Sequence, residues 1–94
     1  MAADNAQIIA LLEKASALYN EAQDAYDFQA FAHASSTREK ATALMLEAFQ
    51  ALPVLQQYFP ETWTIMNFPD KTQCDFSEHE LGIARKLLLP AGND

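Results

Sequence analysis

The chain has two glycines, one cysteine and a single valine (Val54) among its 94 residues. Each scarcity excludes something. With only Gly82 and Gly92, no glycine-rich loop can cradle a phosphate and no Ser sits in a Gly-x-Ser-x-Gly elbow. One valine argues against a sheet-rich fold. One cysteine, Cys74, allows no internal disulfide and fits a reducing compartment. Bases are few as well, six against thirteen acids, for a formal net charge of −7. A surface that binds phosphates does so with Lys and Arg, so direct binding of nucleic acid is not expected. Long apolar runs are missing too. The longest early one is Ile8–Leu12, and nothing approaches the roughly 20 residues of a membrane span. The start, Met1-Ala2-Ala3-Asp4, lacks the basic region of a leader. The expectation is a soluble, cytoplasmic chain without membrane contact.

What remains is half apolar, enough for one small folded domain and too much for a disordered acidic tail. The periodicity is helical throughout. Asp4 is a plausible N-cap, after which Ile8, Leu12, Ala15, Tyr19, Ala22 and Tyr26 alternate at spacings of four and three, the seam pattern of packed helices. Leu11, Leu18 and Ala25 widen the stripe, and Glu13, Asn20, Glu21, Asp24 and Asp27 fill the opposite face. This predicts a first helix over 5–28. Phe28 and Phe31 break its phase, which implies a bend or a second packing surface. Ser36-Thr37-Arg38-Glu39 has the form of a capping box, predicting a second helix over 37–52 with Ala41, Leu44, Met45, Ala48, Phe49 and Leu52 on its inner side. His33 then falls in the connection.

Pro53, Pro60 and Pro69 punctuate the next stretch, which predicts two short helical pieces within 53–68 and a loop over 69–76. A second capping box, Ser77-Glu78-His79-Glu80, opens a last helix over 77–89, with Leu81, Ala84, Leu87 and Leu88 facing inward; residues 90–94 form a frayed tail. The expected fold is all-α: a small three- to four-helix bundle with a long amphipathic first helix and short proline-bounded pieces in the middle.

Chemistry is sparse. His79-Glu80 is followed by Leu81-Gly82-Ile83, so the second histidine of a zinc-protease helix is missing. Cys74, Asp75, Glu78 and His79 hold metal-ligand types close together, but Asp and Glu are expected at a helix start anyway, so no metal site, cofactor or catalytic residue is assigned. Three features suit binding instead. The first is the aromatic stretch Tyr58, Phe59, Trp63, Met66 and Phe68, which serves either as core or as interface. The second is the acidic face of the first helix (Glu13, Glu21, Asp24, Asp27), either solvated or functional. The third is the seam of that helix, which packs on the chain's own helices or pairs with a second copy or another protein's helix. The function expected is non-enzymatic: a small acidic helical protein that binds another protein as adaptor, regulator, chaperone or inhibitor. One alternative is an acidic mimic of nucleic acid that occupies a DNA- or RNA-binding protein, as small phage-encoded inhibitors of host defence do; that similarity is one of size and charge alone. A small enzyme using Cys74 and His79 is the other.

Overall fold

The computed structural model describes residues 4–67 and 74–89, and among these residues the fold is all helical, with no strand. Two long helices, α1 (Asn5–Asp27) and α2 (Phe31–Ala51), pack against each other along their length. Three shorter ones follow: α3 (Leu55–Tyr58), α4 (Pro60–Met66) and α5 (Glu78–Leu88).

Helix α1 opens on the expected cap. The Asp4 carboxylate accepts from the Gln7 N–H at 2.8 Å, and the Gln7 side-chain oxygen accepts from the Asp4 N–H at 3.0 Å. Two of the donors exposed at a helix start are thereby satisfied. The helix closes in a Schellman turn. The Ala30 N–H reaches back to the Ala25 carbonyl at 2.8 Å and the Gln29 N–H to the Tyr26 carbonyl at 2.9 Å. That geometry needs a left-handed residue, and Gln29 takes it at φ 64°, a conformation in which a side chain is strained. Gln29 is the only non-glycine residue with positive φ among the described residues.

Helix α2 begins six residues before the start at 37 that the capping box implied. Its N-cap is Ala30, with no side-chain cap bond, and Ser36 is an exposed residue inside the helix. Nothing from Phe31 to Ser36 stops a helix, since neither Gly nor Pro occurs there. Ala34 and Thr37 carry the buried stripe of Ala41, Met45 and Ala48 back toward the turn. The chain reversal at Gln29, rather than a cap, sets where α2 starts. His33 consequently lies in the first turn of α2 and not in a linker.

The hairpin is held close by small side chains. Ala15, Ala22, Ala41 and Ala48 are fully buried, which lets the two backbones approach. Pro53 follows the end of α2, and Pro60 occupies the first turn of α4, where its missing N–H costs nothing. Helix α5 starts on the expected Ser77–Glu80 capping box and runs back along a flank of α1. There the Asn5 side chain donates to the Leu88 carbonyl at 2.8 Å and Arg85 pairs with Glu13 at 2.7 Å.

The core lies where these helices meet. Phe49 is fully buried at its centre, stacked on Trp63 with ring centroids 5.9 Å apart and packed obliquely on Phe59. Phe76 meets Phe59 edge to face at 5.2 Å. Cys74 and Phe76, on the irregular segment before α5, are both buried, so this short strap plugs the core. Among the described residues one buried side-chain polar atom is left over: the hydroxyl of Ser16, on α1, has no hydrogen-bond partner. Two inward assignments are corrected. Leu87 is exposed, because α5 buries Leu81, Ala84 and Leu88 and turns Leu87 away with Ile83. Tyr26 is exposed, because α1 ends one residue later and the chain reverses before any element covers it. The tail over 90–94 lies outside the described residues. No helix among the described residues is long and apolar enough to cross a membrane.

Candidate functional site

The residues singled out from the sequence separate into two groups. In the aromatic stretch, Phe59 and Met66 are buried and belong to the core. Trp63 is half-buried, flat against Phe49. Tyr58 is exposed on the short α3. Phe68 lies outside the described residues, as do 69–73 of the expected loop. This stretch therefore acts chiefly as the lid of the core: α3 and α4 are too short to bury a face on their own and are held by the rings they insert. The seam of α1 is used in the same way. Ile8, Leu12, Ala15, Tyr19 and Ala22 are buried against the chain's own helices, so that face is not free for a second copy.

The exposed aromatic surface is found instead at the α1–α2 turn. Phe28 is 86% exposed, Tyr26 57% and Phe31 56%. The Tyr26 and Phe31 rings meet edge to face at 5.2 Å, so these two side chains form one patch; Phe28 stands out from the same turn as a third exposed ring. The sequence signal was the phase break at Phe28 and Phe31; what it could not supply was the reversal at Gln29, which brings Tyr26 across to Phe31.

Three of the four carboxylates assigned to the acidic face lead up to Phe28 at the end of α1. Glu21, Asp24 and Asp27 are all exposed on the last two turns of α1. Glu21 faces His33 across the hairpin, Oε2 to Nε2, at 3.1 Å. Asp27 accepts from the Gln23 side-chain amide at 3.0 Å. Among the described residues no lysine or arginine pairs with any of the three. The last turn of α1 carries no base at all, although a helix C-terminus is negative and favours cations. Glu13 stands apart, paired with Arg85 two turns or more up the helix.

The Cys74 constellation does not assemble as a site. Cys74 is fully buried, whereas Asp75, Glu78 and His79 are exposed. Among the described residues no three His, Cys, Asp or Glu side chains are grouped so as to hold a metal. The thiol instead joins a buried polar network that the sequence did not reveal. The Tyr19 hydroxyl donates to the Cys74 sulfur at 3.2 Å and lies 2.9 Å from the Thr42 hydroxyl. With the phenol's one proton committed to sulfur, Thr42 is the donor in the second bond. Arg38 donates to the Cys74 carbonyl at 3.0 Å and sits over the Tyr19 ring at 5.9 Å. Burial pushes the ionisation of both Tyr19 and Cys74 upward, which disfavours the thiolate needed for nucleophilic or metal chemistry. The network fastens the strap to α1 and α2.

A shallow groove of about 480 Å³ between α1 and α2 is lined by Gln7, Ala10, Leu11, Lys14 and Glu47, with no cysteine, serine or histidine among them. Compared with known proteins, the chain matches no family model, no curated protein and no solved structure.

Proposed function

We propose that the chain is a non-enzymatic binding module that engages another protein through the α1–α2 turn. One observation carries this reading: the Tyr26 and Phe31 rings meet and stand exposed, with Phe28 exposed on the same turn, where no element among the described residues covers them. Large rings exposed in a group cost solubility unless a partner uses them, and aromatic side chains are enriched in the buried centres of interfaces. The action would be by occupancy, as adaptor, regulator or inhibitor. A mimic of nucleic acid draws less support, because Glu13 is already paired with Arg85 and Glu21 with His33, which leaves a short acidic cluster in place of a phosphate-like row.

The test is capture from an extract of the native cell on immobilised protein, comparing the wild type with Phe28→Ala/Phe31→Ala and with Glu39→Lys/Glu47→Lys. The acids altered in the second variant are exposed on α2, away from the turn. Loss of a captured protein in the aromatic variant alone is expected. The same proteins captured by all three would sink the assignment of the working face.

A further inference from the structure

The α1–α2 turn also carries information about what covers it. Resting on the reading above, we infer that its occupant is a cationic segment of a partner protein, one that seats an apolar surface on Tyr26, Phe28 and Phe31 and places Lys or Arg against Glu21, Asp24 and Asp27.

The argument begins with area. The three rings together expose about two whole aromatic side chains of surface, on the order of 300–500 Å². A stable interface covers about 800 Å² on each side. The rings are therefore an anchor and not a whole interface, and the remaining contact must fall on what surrounds them. What surrounds them is acidic. Asp27 directly precedes Phe28, and Asp24 and Glu21 lie one and two turns back from it at helical spacing, all three exposed, and the partial negative charge of the α1 C-terminus adds to theirs.

Local rules of helix design are broken here, at one place. Asp24 and Asp27 occupy the last turn of α1 with no lysine or arginine to offset them, where each is unfavourable. A non-glycine residue, Gln29, holds the left-handed position of the turn, where glycine is favoured. The other long-range acid pair of the described residues, Glu13–Arg85, is satisfied within the chain. Departures from local rules collect where function overrides stability, and the charge departure has one sign. A cation supplied from outside would remove it.

The same charge argues against two other occupants. A second copy docked turn to turn would bring two sets of Glu21, Asp24 and Asp27 together, on chains that each carry a net −7, and like charges across an interface are costly. An anionic lipid surface would be repelled by the same carboxylates. A basic protein surface is attracted by them, and the attraction steers its approach at low salt.

The experiment uses the full chain with 15N-labelled amides and three probes: an amphipathic leucine–lysine helical peptide, its leucine–glutamate counterpart, and phosphatidylcholine vesicles with phosphatidylserine. The inference expects the leucine–lysine peptide to shift amides over residues 21–33, with affinity falling at least tenfold in Phe28→Ala/Phe31→Ala and also in Asp24→Lys/Asp27→Lys. Glu39→Lys/Glu47→Lys should change it less than threefold, and the leucine–glutamate peptide should not bind. Equal loss in the Glu39/Glu47 control means diffuse charge attraction and overturns the inference. Equal binding of both peptides, lost only in the aromatic variant, overturns the basic partner while leaving a protein-binding turn. Vesicle binding through 21–33 without peptide binding assigns the turn to a membrane and overturns both readings. Dimers that form through the turn at the concentrations used overturn the cationic occupant as well.

Discussion

Replacing Tyr19 by Phe removes one oxygen from a site that gives it two partners. The Tyr19 hydroxyl is buried, 2.9 Å from the Thr42 hydroxyl and 3.2 Å from the Cys74 sulfur. A neutral hydrogen bond contributes about 1 kcal/mol net, a bond to thiol sulfur less, and a buried partner left unpaired adds about 1–3 kcal/mol. Thr42 can recover part of this by turning its hydroxyl to the carbonyl one turn back on α2. The expected loss is about 1–3 kcal/mol, out of about 5–14 kcal/mol for a chain of this length. In thermal unfolding that is about 4–8 °C for each kcal/mol lost. Urea unfolding followed by circular dichroism reads it directly as a lower midpoint at unchanged slope. Tyr26→Phe is the control, because its hydroxyl belongs to an exposed side chain and should stay within about 0.5 kcal/mol of wild type. Thr42→Val completes a double-mutant cycle in which the coupling with Tyr19→Phe should exceed about 0.5 kcal/mol. Tyr19→Phe unfolding at the wild-type midpoint, or additive effects of the two substitutions, would refute the network as a stabilising element.

Three further outcomes are expected. Ser16→Ala removes a buried hydroxyl that has no partner, so urea unfolding should find the variant as stable as wild type or up to about 1 kcal/mol more so; a clear loss means that the hydroxyl is bonded. Gln29→Gly relieves a left-handed side chain at φ 64°. The relief of about 1–2 kcal/mol exceeds the added freedom of the unfolded chain, about 0.5–1 kcal/mol, so the midpoint should rise; a fall contradicts the strain. Stability should also decline in alkali. Cys74 ionises higher in the fold than its ordinary 9.0, and Tyr19 higher than its ordinary 10.0. Above those values the unfolded chain has lost protons that the folded chain keeps, so unfolding becomes easier as pH rises. Below about pH 8 these two groups contribute no slope, and a profile flat from pH 8 to 11 would contradict their burial.

Much of the fold could be read from residue order because its signals are local. Asp4 and Ser77 are caps whose partners lie three residues away, and the alanines of α1 and α2 recur at helix spacing. The start of α2 could not be read in this way. Ser36–Glu39 satisfies the pattern of a cap, but that pattern matters only where a helix needs to begin, and the reversal at Gln29 had already begun one. The candidate site was half legible. Glu21, Asp24 and Asp27 are visible as an acidic face, and Phe28 with Phe31 as a break in phase. Their meeting with Tyr26 depends on a turn formed without glycine, which carries little compositional signal. The Tyr19–Thr42–Cys74 contacts span 23 and 55 positions, and no periodicity reports contacts of that range.

The strap that carries Cys74 has a consequence for how the molecule opens and closes. The α1–α2 hairpin is built from contacts between neighbouring segments, whereas the strap and α5 return to α1 from 55 to 83 residues away. Distant contacts form only after a large loop has been closed, so the hairpin is expected to form early and the strap to dock late. The same order in reverse makes the strap the first unit to let go under native conditions. Because the chain has one cysteine and it lies in that strap, the rate of its labelling by a thiol reagent measures the partial opening against global unfolding. The molecule thus carries its own folding clock, readable without any introduced probe.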